Sequence, residues 1–182
     1  MNNIYHQQDF LAHNDSTAIV KLVDNLYAKC FGIARRYCGS DELAKNYSKT
    51  CFLNTLQHFL RQEKEEFDDH SFIHFYIICL VKNILSNRKG ELIADTTVVT
   101  VFKNKEGNLF SSSEYYKNLS EEDIIQYLRK LNTIQQIIYN LIYIDNFSIQ
   151  ETAEIIQHSE LSIKALLEKA KYNLFSFIKT TV

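Results

Sequence analysis

The stretch over residues 148–174 constrains the fold more than any other part of this sequence. Ser148, followed three residues later by Glu151, has the pattern of a capping box, which starts a helix. A polar break around Gln157 interrupts this short helix, and Ser159 provides a second start. Beyond Ser159, apolar residues recur at steps of four and three, as on one buried face of a helix: Ile163, Leu167, Ala170, Leu174 and Phe177. The pattern predicts a helix-turn-helix, a motif whose second helix can enter the DNA major groove.

The first half of the chain predicts three long helices. The chain has no proline and only four glycines, so few residues interrupt a helix. Apolar stripes with helical spacing run from about Ser16 to Tyr37, from Ser40 through Phe59 and from about Ser71 to Arg88. Gly39 is the predicted stop between the first two helices. The charged stretch over residues 61–70 indicates a solvated connection.

A segment of different composition separates the two halves of the sequence. Residues 96–102 are β-branched and aromatic, and a turn centred on Gly107 follows them. This pattern favours either a short β-hairpin within residues 96–116, packed on a domain, or a partly ordered linker. After it, Ser120 with Asp123 three residues on caps the first helix of the C-terminal part.

The predicted fold class is all-α, with two small helical domains joined by a linker. The hydrophobic content of 46% is too high for a disordered chain. Residues 1–90 are expected to form a three-helix N-terminal bundle, and residues 119–182 a C-terminal helix-turn-helix domain. Residues 91–118 are the predicted linker between them.

The sequence predicts a cytoplasmic protein without membrane insertion. The longest apolar run, over residues 75–81, is much shorter than the roughly 20 residues that cross a bilayer. The first ten residues lack the basic and apolar blocks of a signal peptide. Four cysteines at helical core spacings, without a CxxC pair, indicate reduced buried thiols: Cys30, Cys38, Cys51 and Cys79.

No pattern indicates an enzyme, a metal site or a cofactor. The sequence has no glycine-rich phosphate loop, no GxSxG and no HExxH. His70 and His74 have a spacing that can share a metal on a helix, but no third ligand accompanies them in a recognised pattern. The acidic residues of 63–69 are more simply explained as a solvated turn than as a cation site.

The charge balance gives little support to DNA binding by the isolated chain. Twenty basic and 22 acidic residues leave a net charge of −2, whereas DNA-binding domains are often clearly basic. Residues 1–90 carry 11 basic and 10 acidic side chains, and residues 119–182 carry 6 and 8. Recruitment to DNA within a larger complex does not require a basic footprint in each half.

Residues 151–174 nevertheless resemble, without a gap, the helix-turn-helix of bacterial RNA polymerase sigma factors, especially the extracytoplasmic-function class. The matching positions are Glu151-Thr152-Ala153, the turn residue Ser159, the run Ser162-Ile163-Lys164-Ala165-Leu166-Leu167 and the basic tail Lys169-Ala170-Lys171. Upstream, residues 128–147 are similar to the helix pair that precedes this motif in the family, with Asn132 where the family usually has proline.

The resemblance extends to the first half. Residues 26–59 and 72–89 are similar to the second-region domain, which in the family holds the polymerase core and opens the −10 promoter element. Asn46, Lys49 and Thr50 stand where the family usually has acidic and amide residues facing the polymerase. Phe75 or Tyr76 replaces the usual tryptophan, and Asn87 stands for an aspartate.

This resemblance implies a sigma factor that binds core RNA polymerase and directs promoter recognition and transcription initiation, without catalysis or a cofactor of its own. An anti-sigma protein is the family's usual regulator. The implied −35 contacts are Ser159, Glu160, Ser162, Lys164, Leu166, Lys169 and Lys171. The implied −10 contacts are Lys82, Asn83, Asn87, Arg88 and Lys89. The implied polymerase contacts are Asn46, Lys49, Thr50 and Phe52.

An alternative hypothesis is a sigma-like protein-interaction module with degenerate DNA-binding residues. Leu166 stands where the family has an arginine that reads DNA, and Glu168 where it has a neutral or basic residue. Exposed leucines on this helix, Leu161 and Leu166, would suit a protein partner. Burial of both would argue against promoter reading. A simple helix-turn-helix repressor is a third hypothesis, but it leaves residues 16–90 without a role.

Overall fold

The computed structural model describes residues 16–61, 68–87 and 120–179, and these residues are helical apart from short turns. The helices are α1 (Ser16–Tyr37), α2 (Asp41–Arg61), α3 (Asp69–Asn87), α4 (Glu121–Leu128), α5 (Thr133–Tyr139), a π-helical turn (Asn140–Ile144), α6 (Ile149–Ile156) and α7 (Glu160–Lys179). The all-α prediction is confirmed. The proposed hairpin and linker, and the predicted boundaries at residues 90 and 119, lie outside the described residues.

The first half of the molecule comprises α1 to α3. Local hydrogen bonds explain where α2 and α3 begin. The Ser40 hydroxyl accepts from the Leu43 amide at 3.2 Å and starts α2. Helix α3 begins two residues earlier than predicted because the Asp68 carboxylate accepts from the Ser71 amide at 2.9 Å. Gly39 lies between α1 and α2 as predicted, but it has no positive φ. The turn there therefore does not depend on the special conformational freedom of glycine.

The second half of the molecule comprises α4 to α7, and side-chain caps mark the starts of its helices. Capping boxes join Ser120 to Asp123 at α4 and Ser148 to Glu151 at α6, as the sequence predicts. Asn132 caps α5, since its side-chain oxygen accepts from the backbone N–H of Gln135 at 2.9 Å. An asparagine in place of the family's proline therefore has a structural role of its own here.

The π-helical turn places Asp145 against the first half of the molecule. The backbone N–H of Asp145 bonds to the Asn140 carbonyl at 2.9 Å, and that of Phe147 bonds to the Leu141 carbonyl at 2.8 Å. Asn146 between them adopts φ 60°, a left-handed conformation that asparagine tolerates well. The chain thus reverses direction just before α6 begins.

A single apolar cluster joins the two halves. From α1 to α3 and the α1–α2 turn it takes Leu26, Cys30, Ala34, Tyr37, Cys38, Ala44, Cys51, Phe52, Phe72, Tyr76, Ile77, Leu80, Val81 and Ile84, and from the second half Ile134, Ile137, Ile138, Leu141, Phe147, Ala153, Ile156, Ile163 and Leu167. A smaller cluster lies between α4 and α7: Leu128, Leu131, Ala170, Leu174 and Ile178. No described helix is long and apolar enough to cross a membrane.

Candidate functional site

The helix-turn-helix has the predicted geometry. Helix α6 ends at Gln157, which adopts the left-handed conformation with φ 61° and ψ 44°. The His158 backbone N–H then returns to the Ala153 carbonyl at 3.0 Å and closes the turn. Ser159 starts α7, since its hydroxyl accepts from the Ser162 amide at 3.2 Å. The turn therefore holds the N-terminus of α7 at a fixed angle to α6.

The solvent-facing side of α7 is apolar and acidic as much as it is basic. The exposed residues on this side are Glu160, Leu161, Lys164, Glu168 and Tyr172. Leu161 is 78% exposed and Tyr172 is 56% exposed. Lys164, the basic side chain in this set, lies 3.8 Å from the Glu160 carboxylate. The phosphate backbone of DNA would therefore face side chains of both charge signs on this surface of α7, instead of a row of basic side chains.

The other predicted −35 residues are partly withdrawn from this surface. Leu166 is half-buried and packs against the apolar cluster that joins the halves, so it does not offer the fully exposed apolar contact that the sequence suggested. Ser162, Lys169 and Lys171 are also half-buried.

Lys171 is engaged by its neighbours on the second half. Its ammonium group lies 2.6 Å from the Glu168 carboxylate and 5.1 Å from the centre of the Tyr143 ring. Partial burial lowers the pKa of Lys171, but its hydrogen bonds to Glu168 and Tyr143 outweigh burial and leave this pKa raised. The charge of Lys171 is therefore already neutralised locally.

Helix α2 presents an outer face that combines the predicted polymerase contacts with exposed leucines. Asn46, Lys49 and Thr50 are all exposed. Leu53 is 47% exposed and Leu60 is 75% exposed, and Leu43 near the start of the helix is 36% exposed. The sequence patterns did not single out these leucines. Leu53 and Leu60 are seven residues apart and lie on the same side of the helix, whereas Leu43 lies about a quarter turn away. Exposed leucines among polar side chains on one face are compatible with a protein-binding surface.

Phe52 does not lie on that face. It is buried, and its ring makes edge-on contacts with Tyr27 at 5.3 Å and Phe72 at 5.6 Å between ring centres. Its side chain therefore belongs to the core of the first half, and in this conformation it is not available to a partner.

The C-terminal end of α3 carries the described part of the predicted −10 set. Lys82 and Asn87 are exposed, and the half-buried Asn83 donates to the Cys79 carbonyl at 3.3 Å. Arg88 and Lys89 lie outside the described residues. Of the two aromatic candidates, Tyr76 is buried and donates its hydroxyl hydrogen to the Cys30 carbonyl at 2.9 Å.

Phe75, the other aromatic candidate, is half-buried and stacks on His58 with 4.0 Å between ring centres. His70 is exposed, whereas His74 stacks on Phe147 at 4.4 Å. Over the described ranges, no group of three histidine, cysteine or acidic residues is arranged to hold a metal ion. The histidine pair predicted at metal spacing therefore has one packed and one solvated member.

A polar contact around Asp145 joins the halves. The Asp145 carboxylate lies 2.5 Å from the Arg36 guanidinium and accepts from the Tyr37 hydroxyl at 2.6 Å. Gln136 and Asn140 donate to the Arg36 carbonyl at 2.8 and 2.9 Å. Burial raises the pKa of Tyr37 well above its ordinary value, and the Asp145 carboxylate raises it further. We call this set the Asp145 contact.

A second ionic contact lies beside it, nearer to solvent. Arg35 reaches Glu122 at 2.8 Å and Asp41 at 3.1 Å, while Arg129 pairs with Asp41 and donates to the Cys38 carbonyl at 3.3 Å. The hydrogen bonds from Arg129 and Arg35 lower the pKa of Asp41. Because Asp41 and Glu122 are exposed, this network contributes less to stability than the Asp145 contact.

Comparisons with known proteins agree with this geometry. The family model described as sigma-70, region 4 matches residues 121–174. Among solved structures, the chain is similar to the sigma factor RpoE of Bartonella quintana, determined in complex with the anti-sigma factor NepR. The identity is 16%, the match covers 88% of this chain and 96% of that chain, and the TM-score is 0.55. No curated protein matches the sequence.

The family match covers α4 to α7 up to Leu174, including both helices of the helix-turn-helix, and the structural match adds the arrangement of the first half. At this identity the structural match is a likeness of fold. Residues 121–174 therefore match sigma-70 region 4, which confirms the predicted resemblance of this part of the chain to sigma factors, and the fold of the chain is like that of the B. quintana sigma factor.

Proposed function

We propose that this protein is a sigma factor that binds core RNA polymerase through the outer face of α2 and directs it to promoters. The observation that carries the proposal is the exposure of Leu53 and Leu60 on the same side of α2 as Asn46 and Thr50, in a chain whose residues 121–174 match sigma-70 region 4. Apolar side chains in a polar setting suit a protein partner. The family's acidic contacts are absent, so apolar contacts provide more of the binding here.

Promoter contacts divide between the halves in this proposal. The end of α3, with Lys82, Asn83 and Asn87, engages the −10 element, and the N-terminal turn of α7, with Ser159 and Lys164, engages the −35 element. The two exposed lysines of these surfaces, Lys82 and Lys164, contribute little salt-dependent affinity for DNA by themselves. Most of the affinity for DNA therefore comes from the polymerase that the protein joins. The polymerase also supplies all the chemistry.

The test of polymerase binding is capture of purified bacterial core polymerase by the full chain, followed by run-off transcription from the DNA upstream of its own gene. Leu53→Arg, on the α2 face, is expected to weaken capture at least tenfold while leaving the helical content unchanged. Val20→Arg is the matched control, because Val20 is a similarly exposed aliphatic residue on α1, at 57%. Equal capture by both variants would refute the assignment of the α2 face.

The second candidate function is a sigma-like module that occupies polymerase or another protein without reading promoters. The exposed Leu161 and Tyr172, beside Glu160 and Glu168, favour it, because this surface of α7 suits a protein better than DNA. Under this hypothesis the chain captures polymerase but gives no defined transcript.

A charge substitution at an exposed position separates the two functions. Leu166→Arg would disturb the apolar cluster, so Leu161→Arg is the better probe. If α7 meets DNA in the polymerase complex, the added phosphate contact steepens the logarithmic salt dependence of promoter binding by about 0.9. Val20→Arg, on α1 and away from the proposed polymerase face, is the control for the same charge change. Equal slopes for both variants would favour the protein-interaction function.

An anti-sigma protein is the proposed regulator. Support comes from the B. quintana RpoE, which was solved bound to the anti-sigma factor NepR. The corresponding test is competition: a specific anti-sigma protein should displace core polymerase from this chain. Failure of every anti-sigma protein encoded near the gene to compete would count against this partner.

A further inference from the structure

The surfaces proposed to contact the two promoter elements belong to one packed body in this structure. Lys82 and Asn87 lie at the end of α3, and Lys164 lies near the start of α7. Helix α3 packs against α6, and the His74 ring on α3 stacks on the Phe147 ring with 4.4 Å between ring centres. Even with all 182 residues packed together, such a body is about 40 Å across.

The −10 and −35 elements lie farther apart than this body is wide. Their names place them about 25 base pairs apart, which is about 85 Å of B-DNA at about 3.4 Å per base pair. A smooth bend of about 90° over this length still leaves about 77 Å between the two elements. The described arrangement therefore reaches one element at a time, and the halves have to separate before the chain holds both.

The chain between the halves is long enough for this separation. Residues 88–119 join the end of α3 to Ser120, which caps α4. At about 3.3 Å per residue, a segment of this length reaches at most about 105 Å. The packing between the halves, and not the length of the connection, therefore determines whether they stay together.

The Asp145 contact fastens the second half to the last turn of α1. Its four bonds run from Asp145, Gln136 and Asn140 to Arg36 and Tyr37, over 2.5–2.9 Å. Hydrogen bonds are lost when their heavy atoms are more than about 3.5 Å apart. A shift of more than about 1 Å between the halves therefore breaks these bonds together. The Asp145 contact thus specifies one closed arrangement of the halves.

The proposed polymerase surface lies apart from this contact. The second half packs on α1 and α3, whereas Leu53 and Leu60 of α2 are exposed in the closed arrangement. A partner of the α2 face therefore binds the closed and the open chain equally well, and such a partner does not shift the balance between them. DNA that carries both elements does shift it, because only the open chain holds both.

We propose that the Asp145 contact is a latch on promoter binding: core polymerase captures the closed chain through the α2 face, and the halves separate only when both promoter elements are bound. This inference rests on the proposed function. The apparent affinity of the polymerase complex for DNA with both elements is reduced in proportion to the fraction of complexes that are open. Binding through one element needs no opening and is not reduced. A weakened latch therefore strengthens two-element binding alone.

The first measurement follows the distance between the halves of the full chain by energy transfer between two dyes. The dyes are attached at two exposed positions, Lys21→Cys on α1 and Glu154→Cys on α6, and Cys79→Ser removes the half-buried native thiol. We expect high transfer in the free chain and after capture by core polymerase, and low transfer once promoter DNA is added. Low transfer in the free chain, or a fall on capture without DNA, would overturn the proposal.

The second measurement compares Tyr37→Phe and Asp145→Ala with the matched control Asp24→Ala, an exposed aspartate on α1. Loss of the Tyr37 bond to a charged group is expected to raise the affinity of the polymerase complex for two-element promoter DNA at least about tenfold. Capture of polymerase, and binding to DNA with a replaced −35 element, should stay unchanged. Tyr37→Phe keeps the buried ring, so it provides the test if Asp145→Ala does not fold.

Two results of this comparison would overturn the latch. One is equal affinity of Tyr37→Phe and Asp24→Ala for two-element DNA. The other is tighter capture of polymerase by Tyr37→Phe, because opening would then precede promoter binding. If no form of the chain captures polymerase, the proposed function fails and the latch fails with it, while high transfer in the free chain still supports the closed arrangement.

Discussion

The Asp145 contact makes a quantitative prediction about how the halves are held together. In Asp145→Ala, the Tyr37 hydroxyl loses a charged acceptor at 2.6 Å, and a hydrogen bond to a charged group contributes about 1.5–3 kcal/mol. Arg36 also loses its partner at 2.5 Å. A buried charge left unpaired costs about 3–5 kcal/mol. Because the Arg36 side chain retains 18% exposure, water recovers part of that cost.

We therefore expect Asp145→Ala to lower the free energy of unfolding by about 3–5 kcal/mol in total. Tyr37→Phe, which removes one hydrogen bond and leaves the ion pair, should cost about 1.5–3 kcal/mol. The assay is urea denaturation followed by far-ultraviolet circular dichroism. Asp24→Ala is the matched control, since Asp24 is an exposed aspartate on α1, and it should change stability by less than about 0.5 kcal/mol.

The outcome that refutes this reasoning is a loss below about 1 kcal/mol for Asp145→Ala, close to that of Asp24→Ala. It would mean that the halves do not meet through Asp145 in solution. A change of denaturant slope along with the midpoint would indicate that the halves separate before they unfold.

Three further predictions concern the core, the turn and pH. Phe52→Ala should destabilise the protein by about 3–5 kcal/mol in the same denaturation assay, since the ring is buried between two aromatic neighbours; a fully stable variant that loses polymerase binding would place Phe52 at the interface instead. Gln157→Gly should stabilise by roughly 0.5–1 kcal/mol, because Gln157 adopts φ 61°, whereas Gln157→Ala should give no gain. Burial raises the pKa of Tyr37 in the folded protein. The contribution of protonated Tyr37 to stability is therefore fully present below the unfolded pKa of about 10. As the pH rises above that value, this contribution is lost by about 1.4 kcal/mol per pH unit. A titration of the unfolding free energy should show this alkaline slope reduced in Tyr37→Phe, and an unchanged slope would contradict the assignment.

Local signals in the sequence predicted the helix-turn-helix well. The Ser148–Glu151 capping box, the break at Gln157 and the start at Ser159 each depend on hydrogen bonds between residues no more than five positions apart, so local sequence alone determines them. The same holds for Ser120 and Asp123. The apolar face of α7 from Ile163 to Leu174 was also predicted, because helical spacing identifies buried positions without knowledge of the partner helix.

Contacts between distant residues were not predictable in the same way. Arg36 and Asp145 are 109 positions apart, and neither the sequence spacing nor the composition indicates that they meet. The partial burial of Leu166 was not predicted for a related reason, since it depends on how the second half packs. Phe52 illustrates a further limit: adjacent positions on α2 belong to opposite environments, and resemblance to a family motif does not distinguish them.

The interface between the halves combines an apolar cluster with polar contacts that are only partly satisfied. Its apolar cluster favours a lasting association, as in a single core. Its polar part is incompletely satisfied, since Nε of Arg36 and Oδ1 of Asn140 are buried without a hydrogen-bond partner among the described residues. Each such group carries a desolvation cost that water repays when the halves separate. These unsatisfied groups therefore offset part of the stabilisation that the Asp145 contact provides and lower the net cost of opening, which suits a protein proposed to contact two promoter elements, one with each half.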